Sequence, residues 1–78
     1  MVNENDKISI KEAYTAMYAF LENEYSLTNS DDIGGLLGGM SLLQDGTTAD
    51  PAAWDDWLQS VQKALNNECD ITLRFVKE

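Results

Sequence analysis

Histidine is missing from this chain, cysteine and proline occur once each, and five basic residues stand against fourteen acidic ones. Without histidine the commonest general base and metal ligand is lost, and Cys69 has no imidazole to activate it. Ser-His-Asp and Cys-His catalysis are therefore excluded by composition, and no catalytic residue is assigned. A lone cysteine closes no internal disulfide, so the fold is held without covalent staples, as is usual in reducing compartments. No run approaches the roughly 18 apolar residues of a membrane span. Met1-Val2-Asn3-Glu4-Asn5-Asp6 has neither the basic nor the apolar region of a secretory signal, and a cytoplasmic location is expected.

The shortage of cations has a pattern. Lys7, Lys11, Lys63, Arg74 and Lys77 lie toward the ends of the chain, and none stands between Glu12 and Gln62. That stretch carries Glu12, Glu22, Glu24, Asp31, Asp32, Asp45, Asp50, Asp55 and Asp56. Their summed field repels nucleic acid and anionic lipid and attracts a basic partner, while the same charge also serves solubility. Against the net charge of -9 stands a composition that is 44% hydrophobic, with two Trp, three Tyr and two Phe, which marks a folded domain. The 78 residues make one domain, 1–78, with a thin margin, because a chain of this size buries only about 60% of its unfolded surface.

Three helix starts are legible. Ser9-Ile10-Lys11-Glu12 fits a capping box, and Ile10, Ala13, Tyr14, Met17, Phe20, Leu21 and Tyr25 follow at spacings of three and four, predicting a first helix over 10–25. Ser30 caps a second helix over 31–43, with Asp31 and Asp32 at the positive end of its dipole. Its core face is Ile33, Leu36, Leu37, Met40 and Leu43. Asp50-Pro51 opens a third helix over 51–66, whose apolar stripe is Trp54, Trp57, Leu58, Val61 and Leu65. Beyond it Cys69, Ile71, Leu73 and Phe75 alternate with polar residues, the pattern of a half-buried strand. Its partner is the N-terminal segment, a strand from another protein, or a second copy of the chain in a homodimer. The expected fold is mainly α, a compact three-helix domain with a short C-terminal extended segment.

Gly34, Gly35, Gly38 and Gly39 fall opposite the core face of the second helix. Each costs about 0.8–1.0 kcal/mol against Ala in a helix interior, so something close by must exclude a side chain. Close packing of the first or third helix is the first explanation; a partner docking on the bare backbone and a kinked segment are the others. A phosphate loop is ruled out because Met40, not Lys, follows the last glycine. Asp31-Asp32 and Asp55-Asp56 are neighbours in sequence and so point in different directions around a helix, which suits a dipole-compensating turn and a solvated face better than paired acid-base work. Gln44-Asp45-Gly46 lacks calcium-loop spacing, and no metal or cofactor site is assigned. Trp54 and Trp57 read as core, but a ring edge left open beside Asp55 or Asp56 suits a basic protein surface.

The wording Ser30-Asp31-Asp32-Ile33-Gly34-Gly35-Leu36-Leu37-Gly38-Gly39-Met40, then Asp45-Gly46, then Ala49-Asp50-Pro51-Ala52-Ala53-Trp54-Asp55-Asp56-Trp57 resembles small bacterial immunity-type proteins of contact-dependent growth inhibition and related polymorphic toxin systems. The likeness spans about Lys11 to Leu65. It implies a cytoplasmic protein that binds and blocks a toxin domain, often a nuclease, and it carries no contact residues over. The partner-binding candidates taken from the residues themselves are Asp31, Asp32, Asp55, Asp56 and Trp54, facing a basic toxin domain. A small adaptor or regulatory subunit is the alternative. A carrier protein fits poorly, because Ser30 precedes two aspartates and Ser41 falls inside the expected second helix, so neither serine is placed to hold a phosphopantetheine.

Overall fold

Each helix begins where a side chain can satisfy free amides. In the computed structural model, which describes residues 1–72, α1 runs Ile10–Thr28, α2 Asp31–Met40 and α3 Pro51–Leu65. Ser9 Oγ accepts from the Glu12 amide at 3.0 Å while Glu12 Oε1 accepts from the Ser9 amide at 2.9 Å, a complete capping box. The Ser9 amide, and then its hydroxyl, hold the Glu12 carboxyl below its ordinary range. Ser30 Oγ receives the Ile33 amide at 3.4 Å, and Asp50 Oδ1 the Ala52 amide at 3.0 Å, with Pro51 in the first turn of α3.

Two ends differ from the periodicity. The first helix continues to Thr28 rather than stopping near Tyr25, with the hydroxyls of Ser26 and Thr28 turned back onto the carbonyls of Asn23 and Glu24, at 2.7 and 2.9 Å. Asn29, left-handed at φ 53, then closes it by donating its amide to Tyr25 O. The second helix stops at Met40 rather than Leu43. Ser41 is its cap and turns extended (ψ 144), so this serine is not inside a helix.

Beyond Ser41 the chain makes a tight excursion back to α3. Leu42 and Thr48 form an isolated antiparallel bridge, the Leu43 amide donates to Thr47 O at 2.7 Å, and Gly46 turns the chain at φ +87. Leu43 therefore leaves the helical face it was predicted to share and is exposed.

The last carbonyls of a helix have no partner within it. Here Leu37 O accepts from the Ser41 amide and hydroxyl, Gly39 O from the Asp50 amide at 2.9 Å, and Met40 O from the Tyr14 hydroxyl at 2.8 Å. The C-terminus of α2 is thus tied to α1 and to the start of α3. Among the described residues Tyr14, Leu37 and Met40 are the buried apolar ones, joined by Thr48, whose hydroxyl donates to Asp50 O. Tyr14 stands edge-on to both indoles, its ring centroid 5.3 Å from Trp54 and 5.6 Å from Trp57.

Around this small core the predicted stripes are only partly covered. Leu36, expected in the core, is 51% exposed and Phe20 63%, because three short helices present too little facing surface to bury every apolar position. Trp54 and Trp57 are half-buried. Among the described residues the expected C-terminal strand is not formed: Ile71 is 97% exposed, and Asp70 takes the Thr72 amide in a local turn. Its continuation through Leu73 and Phe75 lies outside the described residues. Among the described residues no helix is long and apolar enough to cross a membrane.

The glycines divide. A methyl built on Gly34 would stand 2.9 Å from Cε1 of Tyr25, and one on Gly39 would stand 3.3 Å from Cβ of Asp50, so these two are close-packed within the chain. Gly35 and Gly38, grouped with them as close-packing positions, meet nothing within 4 Å among the described residues. The reason is where neighbours pass: the Tyr25 ring lies beside Gly34 and the α3 cap beside Gly39, while the outward arc of α2 has no element over it.

Candidate functional site

Tyr14 separates two open clefts. One, of about 550 Å³, lies between α1, the 42–49 excursion and the start of α3, with Leu42, Leu43, Pro51 and Trp54 among its apolar lining and Lys11 and Asp55 at its edge. The other, of about 400 Å³, lies where all three helices meet, over Met17, Leu36, Met40 and Trp57, with Asp50 and Asp56 at its edge. Adjacent residues on α3 are therefore shared out, Trp54 and Asp55 to the first cleft and Asp56 and Trp57 to the second. The 3.6-residue turn does this: successive side chains step by about 100° around the axis.

Both indoles are held. Trp57 Nε1 donates to Ile10 O at 3.3 Å, pinning α3 to the first turn of α1, and both rings pack on Tyr14. Burial pushes the Tyr14 phenol above its ordinary range, with the nearby Tyr18 adding to it. In the 42–49 excursion the Thr47 hydroxyl and then its amide hold the Asp45 carboxyl low; both donate to Asp45 Oδ1. Both grooves are floored by aromatic and apolar side chains and edged by carboxylates. Such grooves can take apolar side chains flanked by charge.

The sequence-predicted candidates are not brought to one place. Trp54 and Asp55 line the first cleft and Asp56 the second. Asp31 lines neither cleft but a separate depression with Glu22, Tyr25 and Gly34. Asp32 is exposed in the first turn of α2 and lines none of these. What sequence reasoning missed is Tyr14 as the wall between the clefts and the Leu42–Leu43 pair as an exposed lip. The second carried a signal, two consecutive leucines running into an Asp-Gly turn, which a continued helix had absorbed. Among the described residues no three of Cys, Asp and Glu are grouped to hold a metal ion. Among protein-family models, curated proteins and solved structures, none matches this chain.

Proposed function

We propose that this chain is a non-catalytic protein-binding domain, and that it acts as an immunity-type inhibitor of a basic toxin domain in the bacterial cytoplasm. The observation that carries the first part is the pairing of half-buried tryptophans with carboxylates along two open apolar clefts, Trp54 with Asp55 and Trp57 with Asp56. Rigid aromatic anchors beside charge are what protein interfaces use for affinity and orientation. The cation-free stretch from Glu12 to Gln62 supplies the complementary field that steers a basic partner. The second part rests on the resemblance of the α2 and α3 wording to immunity-type proteins.

The test is a protection assay. The protein encoded directly upstream of this gene is induced in bacteria with and without the chain, and the two are then purified together. Growth restored by the chain, with a stoichiometric complex, is the expected result. A complex without protection points to the adaptor reading. No complex and no protection would overturn both parts.

A further inference from the structure

The second cleft and the bare arc of α2 beside it form one continuous surface, and we infer that it docks an amphipathic helix of the partner that carries Lys or Arg beside its apolar side chains. The inference rests on the protein-binding reading and assigns it a surface. Met17, Leu36, Met40 and Trp57 give the cleft an apolar floor, and Asp50 and Asp56 line it with no basic residue beside them among the described residues. The first cleft differs, since Lys11 lines it together with Asp55. Charge complementarity therefore directs a cationic partner to the second.

Gly35 and Gly39 line the same cleft. Gly39 is held small from inside, by Asp50. Among the described residues nothing excludes a side chain at Gly35 or Gly38, although each forgoes the helix propensity of Ala. At about 100° per residue Asp31, Gly35 and Gly38 share the outward arc of α2, with Gly39 at its border beside the α3 cap, so that arc shows backbone and carboxylate with little else. A second helix can approach such a surface closely, seating its apolar face in the cleft and its cations against Asp56 and Asp31. A second copy of this chain is disfavoured as occupant, because at a net charge of -9 two such faces repel.

The probe is an amphipathic helical peptide built only of Leu and Lys, titrated into the isotope-labelled full chain and followed by amide and indole chemical shifts. Saturable shifts should concentrate at Gly35, Gly39, Ser60 and the Trp57 indole, and the counterpart peptide with Glu for Lys should give none. Gly35→Leu places a side chain where the fold leaves open space, and should abolish binding while the melting temperature holds. Asp56→Lys, at an exposed position, should weaken binding at least tenfold. Shifts centred on Leu42, Leu43 and Trp54, or unchanged affinity in both variants, would overturn the assignment. So would concentration-dependent shifts without peptide, which mean self-association. The same holds if the peptide binds only after residues 73–78 are removed, which means the chain's own end occupies the cleft. Each of these leaves the protection assay untouched, so failure of the surface and failure of the functional reading are separable.

Discussion

The Tyr14 hydroxyl, in the second turn of α1, donates to the Met40 carbonyl at the end of α2 across 26 positions of sequence, in a buried hydrogen bond of 2.8 Å. It satisfies an acceptor that α2 itself cannot, and its phenol ring packs edge-on against both Trp54 and Trp57. The same side chain lines both clefts.

Tyr14→Phe keeps the ring and leaves Met40 O buried without its donor. The loss should be about 1–3 kcal/mol. For a domain of this size each kcal/mol lowers the melting temperature by about 4–8 °C, so calorimetry should show a clear drop with little change in far-UV circular dichroism. A melting temperature unchanged within error would mean that water replaces the hydroxyl.

The same phenol sets an alkaline limit. Its folded-state pKa is raised, so the fold favours the neutral form, and the associated stability is fully present below the unfolded tyrosine value of about 10. It is lost as pH climbs from there through the raised folded value. Denaturant midpoints measured from pH 9 upward should fall for the natural chain and fall less steeply for Tyr14→Phe.

At the acid side the capping box acts with opposite sign. The Glu12 carboxyl is lowered by the Ser9 amide and hydroxyl, so its contribution is present above the ordinary glutamate pKa and disappears as pH falls through the lower folded value. Glu12→Gln should flatten the acid limb of the stability curve. Ser9→Ala should cost about 1 kcal/mol at neutral pH as well, because it removes the cap acceptor for an amide. An acid limb in Glu12→Gln identical to that of the natural chain would show that Asp45 or other carboxylates carry the whole effect.

Glycine substitutions along α2 should separate by position. Gly35→Ala and Gly38→Ala meet open space and should each stabilise by about 0.5–1 kcal/mol. Gly39→Ala presses on Asp50 Cβ, which is fixed by the cap hydrogen bonds of α3, and should gain nothing or lose stability. Equilibrium unfolding of the three variants decides it; three equal gains would show that the α3 cap shifts freely.

Association with a basic partner should slow as salt rises to about physiological strength, where the Debye length falls to about 8 Å. Asp56→Lys should slow it more than Asp55→Lys, since Asp55 shares its cleft with Lys11. Stopped-flow rates for the two single variants test this, and equal rates would place the contact elsewhere on the acidic surface.

The sequence by itself determined the helix starts, because caps are local: Ser9, Ser30 and Asp50 each satisfy amides within three residues of themselves. It also determined the acidic middle and the turn at Gly46. The helix ends were less legible. Thr28 and Met40 depend on hydroxyls and backbone groups that favour continuing in one case and leaving in the other, a balance that periodicity does not report. What only the tertiary structure decided is which apolar and glycine positions are covered. Leu36 and Leu37 sit side by side in the same stripe, yet Leu37 is buried and Leu36 half open. Gly34 and Gly35 likewise differ only in whether the Tyr25 ring stands over them. Periodicity assigns a face to each residue, but three short helices have too little surface to cover every face. The site is what the packing of Tyr14, Trp54 and Trp57 leaves open.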